Sequence, residues 1–161
     1  MNPLEKRIWW SYLQEDIQEL LKESIMLSEK VSSWDQKFHD YSFVVFPAAK
    51  AYEGFLKKLF LDLGFITTDE YYGKRFRIGK ALNPSLEKEL RGGSVYDKIV
   101  EFCGGSTLGD KLWETWKSCR NSTFHWFPEE KTAISLPEAK EKLELILVTM
   151  DAAFRECKIN S

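Results

Sequence analysis

The stretch PAAKAYEGFLKKLFLDL, residues 47–63, decides the fold class. Ala48, Ala51, Tyr52, Phe55, Leu56, Leu59, Phe60 and Leu63 recur every three to four positions, while Lys50, Glu53 and Lys57 share the opposite, polar stripe. That period belongs to an α-helix with one dry face, not to a strand, whose side chains alternate every two residues. Phe43–Phe46 alone would suit a short strand, but Pro47 and the periodicity after it favour a buried approach or an irregular first turn. Gly64 follows as a residue able to stop the helix in a left-handed conformation.

Working outward, Asn2, Pro3 and Glu5 form a helix-start signal, and Leu13, Ile17, Leu20, Leu21 and Leu27 continue a helical period. Together they predict one helix over residues 3–30. Residues 64–82, GFITTDEYYGKRFRIGKAL, fit either a small hairpin or a folded loop between helices. Short helices are expected from Asn83 and Pro84 to about Leu90 and over 95–102, separated by Gly92 and Gly93. After Gly104 and Gly105, Thr107 and Asp110 can cap a helix over 108–120 with Leu112, Trp113 and Trp116 on its apolar side. Ser135 and Glu138 form a capping box for a last helix bearing Ala139, Leu143, Ile146, Leu147, Met150 and Phe154. The expected architecture is all-α: one domain over residues 1–161, a bundle of four main helices with a short variable insertion between the second and third.

Length and composition bound the function. A chain of 161 residues fits one core, and 14% aromatic residues exclude extended disorder. With 23 Lys and Arg against 25 Asp and Glu the formal charge is −2, so any nucleic-acid site must be local. Cys103, Cys119 and Cys157 are widely spaced and lack the clustering of a zinc site, which fits a reducing cytoplasm. No metal and no cofactor is expected. The opening residues carry acids where a signal peptide would be apolar, and no run approaches the length of a membrane span, so no membrane partner is expected either.

The string with the most chemistry is CRNSTFHW, Cys119 to Trp126. Arg120 and His125 bracket four residues beyond an aromatic-rich helix, and a shallow turn or continued helical arc would bring both to one phosphate. A guanidinium offers two donors to phosphate oxygens and offsets charge in a pentavalent transition state. An imidazole exchanges protons near neutral pH. The pair suits RNA cleavage without a metal.

Arg120-x4-His125, set in this helical pattern, resembles the R-x4-6-H motif of HEPN-family ribonucleases, and at fold level the resemblance covers about residues 3–157. It implies a HEPN-like bundle, a homodimer with one Arg/His pair from each subunit at a composite cleft, and an endoribonuclease serving as a toxin or antiviral effector with a possible cognate antitoxin. Arg120 and His125 become the catalytic pair, and Asn121 matches the polar residue that commonly follows the family's arginine. A weaker similarity is to the HEPN domain of RNase LS-type toxins, in which a polar pair on an earlier helix joins the motif. Lys50 and Glu53 are the matching positions, with Lys50 binding phosphate and Glu53 orienting Arg120 or His125. Lys50 departs from the arginine expected there. Lys57, one turn beyond Glu53, is a further candidate for RNA binding. HEPN toxins encoded beside nucleotidyltransferase antitoxins often carry a tyrosine two residues after the histidine. Phe127 stands there, so regulation by nucleotidylation is not implied.

The competing interpretation is a catalytically silent HEPN-like domain that binds a nucleotide or a protein. Lys74, Arg75 and Arg77, with Tyr71, Tyr72 and Phe76 nearby, suit either RNA contact or an ordinary charged loop. His39 beside Asp40 is expected in a surface or capping role, Cys119 as a small buried residue, and the tryptophans in the core or at an interface.

Overall fold

A computed structural model describes residues 3–157, and the described chain is all-helical without a strand. Its helices are α1 (Glu15–Lys30), α2 (Ser42–Asp62), α3 (Thr68–Tyr72), α4 (Ile78–Ala81), α5 (Val95–Cys103), α6 (Thr107–Trp116) and α7 (Leu136–Glu156). Helix α2 is the axis. It buries Val44, Ala48, Tyr52, Phe55, Leu56, Leu59 and Phe60, and packs against α1 on one side and α7 on another, while α6 closes on α7. The buried side chains form one contiguous core. Inside it, the hydroxyls of Thr115 on α6 and Thr149 on α7 pair at 2.9 Å, and the Tyr52 hydroxyl donates to the Leu112 carbonyl at 3.2 Å. These bonds spare the buried oxygens the desolvation cost of having no partner.

Helix α2 starts earlier than its pattern predicted, at Ser42, and runs through Pro47. Proline removes one helical donor there. The next amide, that of Ala48, donates to the buried Ser24 hydroxyl at 2.8 Å, so a side chain from α1 meets the interruption. Asp40 ties the start of α2 down: its carboxylate accepts from the Ser42 amide at 3.0 Å, the Ser42 hydroxyl at 2.6 Å and the Ile134 amide at 3.1 Å, joining α2 to the approach of α7. Gly64 ends α2 at φ 71°, and the Phe65 amide reaches back to the Phe60 carbonyl at 2.8 Å.

The N-terminal expectation is corrected. Residues 3–30 are not one helix: two single turns of 3₁₀ helix, Leu4–Lys6 and Trp10–Tyr12, precede α1. Asn2 lies outside the described residues. Trp9 is fully buried and its Nε1 donates to Asp151 of α7 at 2.7 Å, and Arg7 donates to Asp151 and, at 3.2 Å, to Glu144. Anchoring on α7 overrides the local start signal. The insertion holds α3, α4 and, over Lys88–Gly93, a 3₁₀ turn in place of the helix expected from Asn83 to Leu90. The capping box of Ser135 and Glu138 forms at α7, and Lys131 together with the Ser135 bonds holds the exposed Glu138 carboxyl down at about 2.

Candidate functional site

His125 lies five positions after Arg120. On an α-helix that offset turns a side chain through about 500°, leaving the pair about 140° apart. The chain solves this with a change of winding. α6 ends at Trp116 and continues as one wider π turn, Lys117–Asn121, before leaving the helical path. The Ser122 amide reaches the Lys117 carbonyl at 2.8 Å, the five-residue bond of that turn. The Ser118 carbonyl accepts from the Thr123 hydroxyl at 2.8 Å and from Lys142 Nζ of α7 at 2.7 Å. Cys119 faces the core, fully buried, its Sγ 3.5 Å from the Lys142 carbonyl, and burial pushes its thiol above the ordinary range. A neutral, inward thiol acts as packing and anchors the turn that carries Arg120.

The turn lies against α2, and between them opens a cleft of about 310 Å³ lined by Phe46, Ala49, Lys50, Glu53, Arg120, Phe124 and His125. Phe46, Lys50 and Glu53 follow one another along a single face of α2. Phe46 is half exposed and meets the Phe124 ring edge-on at 5.3 Å, forming an apolar wall. The Arg120 guanidinium sits 5.4 Å from the centre of the Trp116 ring, one helical turn back, and pairs with no carboxylate among the described residues. The cleft therefore presents Lys50 and Arg120 to an incoming anion, with an imidazole at its edge.

Four of the six expected site residues, Lys50, Glu53, Arg120 and His125, line this one cleft. Lys57 and Asn121 do not. Lys57 pairs with Glu53 at 3.1 Å, so its ammonium is spent within α2, and Asn121 is exposed at the end of the π turn, outside the cleft lining. Glu53 is expected to orient Arg120 or His125, yet among the described residues its ion pair is with Lys57. Phe127 lies 6.1 Å from the His125 ring, and Trp126 is exposed beside it. Sequence reading missed the residues that shape the site. Trp116 was legible as an aromatic one turn before an arginine, and Phe46 as the position one turn before Lys50. The link from Lys142 to Ser118 spans 24 positions and left no local signal.

The chain matches no family model, no curated protein and no solved structure. The site therefore rests on its own geometry. Among the described residues no group of three or more His, Cys, Asp or Glu side chains could hold a metal ion, and no helix is long and apolar enough to cross a membrane.

Proposed function

We propose that this chain is a HEPN-type endoribonuclease that cuts single-stranded RNA without a metal, leaving 2′,3′-cyclic phosphate and 5′-hydroxyl ends. The observation that carries the reading is the convergence of Lys50, Glu53, Arg120 and His125, from two distant segments, on one cleft. Lys50 binds a non-bridging phosphate oxygen. The 2′-hydroxyl of the preceding ribose attacks phosphorus while Arg120 offsets the charge gathering on the phosphoryl oxygens. His125, with its mate across a dimer, takes the 2′-hydroxyl proton and returns one to the departing 5′-oxygen. The Phe46 and Phe124 wall gives a base an apolar surface. The same reading makes the protein a cytoplasmic homodimer serving as a toxin or antiviral effector, with a cognate antitoxin.

The test is cleavage of labelled single-stranded RNA in EDTA by the purified protein and by its R120A and H125A variants, each checked for native circular dichroism. Wild type is expected to cut, and each variant to lose about 10²- to 10⁴-fold in rate. Full activity in H125A overturns the mechanism. No cleavage of diverse RNAs by folded protein favours the catalytically silent interaction domain.

A further inference from the structure

From Tyr71 to Leu86 the chain has four cations, Lys74, Arg75, Arg77 and Lys80, and no acid, within a protein of net charge −2. The insertion folds this run around two adjoining recesses of about 340 and 350 Å³, which share Glu70, Arg75 and Phe76 as their common wall. The first adds Arg77 and Lys80 above a floor that includes Leu86 and Leu90, and the second adds Lys74 and Asp69.

Four cations, Lys74, Arg75, Arg77 and Lys80, face two acids, Asp69 and Glu70, across the two recesses, so the groove keeps a positive excess. Among the described residues neither Arg75 nor Lys80 has an ion-pair partner. Arg77 donates to the Lys74 carbonyl and, at 3.2 Å, to that of Phe76, which fixes the guanidinium without neutralising it. Glu70, the acid in the wall, is committed to the capping box of α3, accepting from the Thr67 amide at 2.8 Å and its hydroxyl at 3.2 Å. Aromatic faces alternate with these cations. Tyr72 is 79% exposed and stands edge-on to Tyr71 at 4.9 Å, and Phe76 lies between the recesses. Exposing a phenol ring to this extent gains nothing for the fold. Cations tracking a backbone and rings stacking bases are what a single strand needs.

The helix that carries Lys80 and the turn that carries Arg120 share one neighbour, Trp116. A Cβ on Gly79 of α4 would lie 2.8 Å from Trp116 Nε1, so α4 rests on the edge of the indole whose ring carries the Arg120 guanidinium at 5.4 Å. One tryptophan separates the Arg77 and Lys80 end of the groove from Arg120.

We propose that the groove of Arg75, Arg77 and Lys80 around Phe76, with Tyr72 beside it, is a docking track for the single-stranded RNA flanking the scissile bond. This rests on reading the chain as a ribonuclease. Two recesses in a row, divided by one aromatic, suit successive nucleotides of a strand better than one free nucleotide.

The experiment uses the full chain and fluorescence anisotropy with 2′-O-methyl RNA, which lacks the attacking hydroxyl. One oligomer has about 12 nucleotides and one about 4, within the spans of known single-strand sites. Wild type is expected to bind the long oligomer at least about tenfold tighter, and R75A/R77A/K80A to abolish that difference. The triple variant should also flatten the slope of log K against log salt by about 2, for three lost phosphate contacts. Y72A, which removes no charge, should weaken long-oligomer binding about fivefold or more with the slope unchanged. Wild-type affinity and slope in the triple variant overturn the track. So does a mononucleoside triphosphate that competes as well as the long oligomer, which would mark a small-ligand pocket. Failure of the two readings is separable: cleavage of the short unmodified RNA within about twofold in both proteins, with unaltered long-oligomer binding, rejects the track alone, and absence of cleavage with lost long-oligomer binding rejects the nuclease alone.

Discussion

Helix α2 and the insertion that follows it are built from opposite ingredients. Eleven of the 21 residues of α2 are buried, and the polar stripe with Lys50 and Glu53 rides on a rod pinned by α1 and α7. Over residues 64–93 the buried side chains are Ile66, Ile78, Ala81 and Leu82, and the segment is held by exposed caps and backbone turns. A rigid helix suits groups that must meet a phosphate at fixed distance, because a small displacement costs much of the catalytic gain. A lightly anchored surface suits contacts that add affinity along a strand and tolerate adjustment. The π turn with Arg120 belongs with the rigid half although it is irregular, since Cys119, Thr123 and Lys142 fix it from inside.

The contrast is open to direct attack by substitution. F55A removes a fully buried ring from α2 and should cost about 3–5 kcal/mol in denaturant unfolding, whereas Y72A in the insertion should stay within about 0.5 kcal/mol. Equal losses would erase the distinction. G79A places a methyl group against Trp116 Nε1 and should cost about 1–3 kcal/mol, with RNA cleavage falling as the indole shifts beneath Arg120. K142M takes one of two side-chain donors from the Ser118 carbonyl and should cost about 1 kcal/mol. Its loss of kcat should exceed its loss of stability, since the turn it supports carries Arg120.

The smallest effect is confined to acid. Burial opposes ionisation of Asp40, but the bonds from Ser42 and Ile134 outweigh it and hold the carboxyl below its usual value of 3.8. The unfolded chain then binds the proton more readily, so stability from this group is full above the unfolded value and is lost as pH falls through the folded one. Unfolding midpoints followed below about pH 4 should therefore fall less steeply in D40N than in wild type.

Helix α2 from Pro47 onward and helix α7 are legible because their apolar residues recur at the helical period and one end of each carries a local signal, Gly64 and the box of Ser135 and Glu138, whereas the first turn of α2 is hidden by Pro47. The first dozen residues were misread because Arg7 and Trp9 answer to Asp151, more than 140 positions away. Arg120 and His125 stand out as residue types, yet CRNSTFHW does not announce the π turn that carries Arg120, because one of the two side-chain bonds to the Ser118 carbonyl comes from α7. Lys57 shares the polar stripe of Lys50, seven positions back, which suggests an RNA contact, but its four-residue spacing from Glu53 gives it an intrahelical partner instead.

The proposed function requires that the cleft between α2 and the π turn activate a ribose hydroxyl against its neighbouring phosphate. An RNA oligomer is first mapped for its cut site, then resynthesised with one 2′-deoxy nucleotide immediately 5′ of the scissile phosphate, and both are incubated with the protein in EDTA. The account predicts cleavage of the all-ribose strand to cyclic phosphate and 5′-hydroxyl ends, and no cleavage at the substituted position. Cutting at that position, or 5′-phosphate ends from either strand, would contradict it.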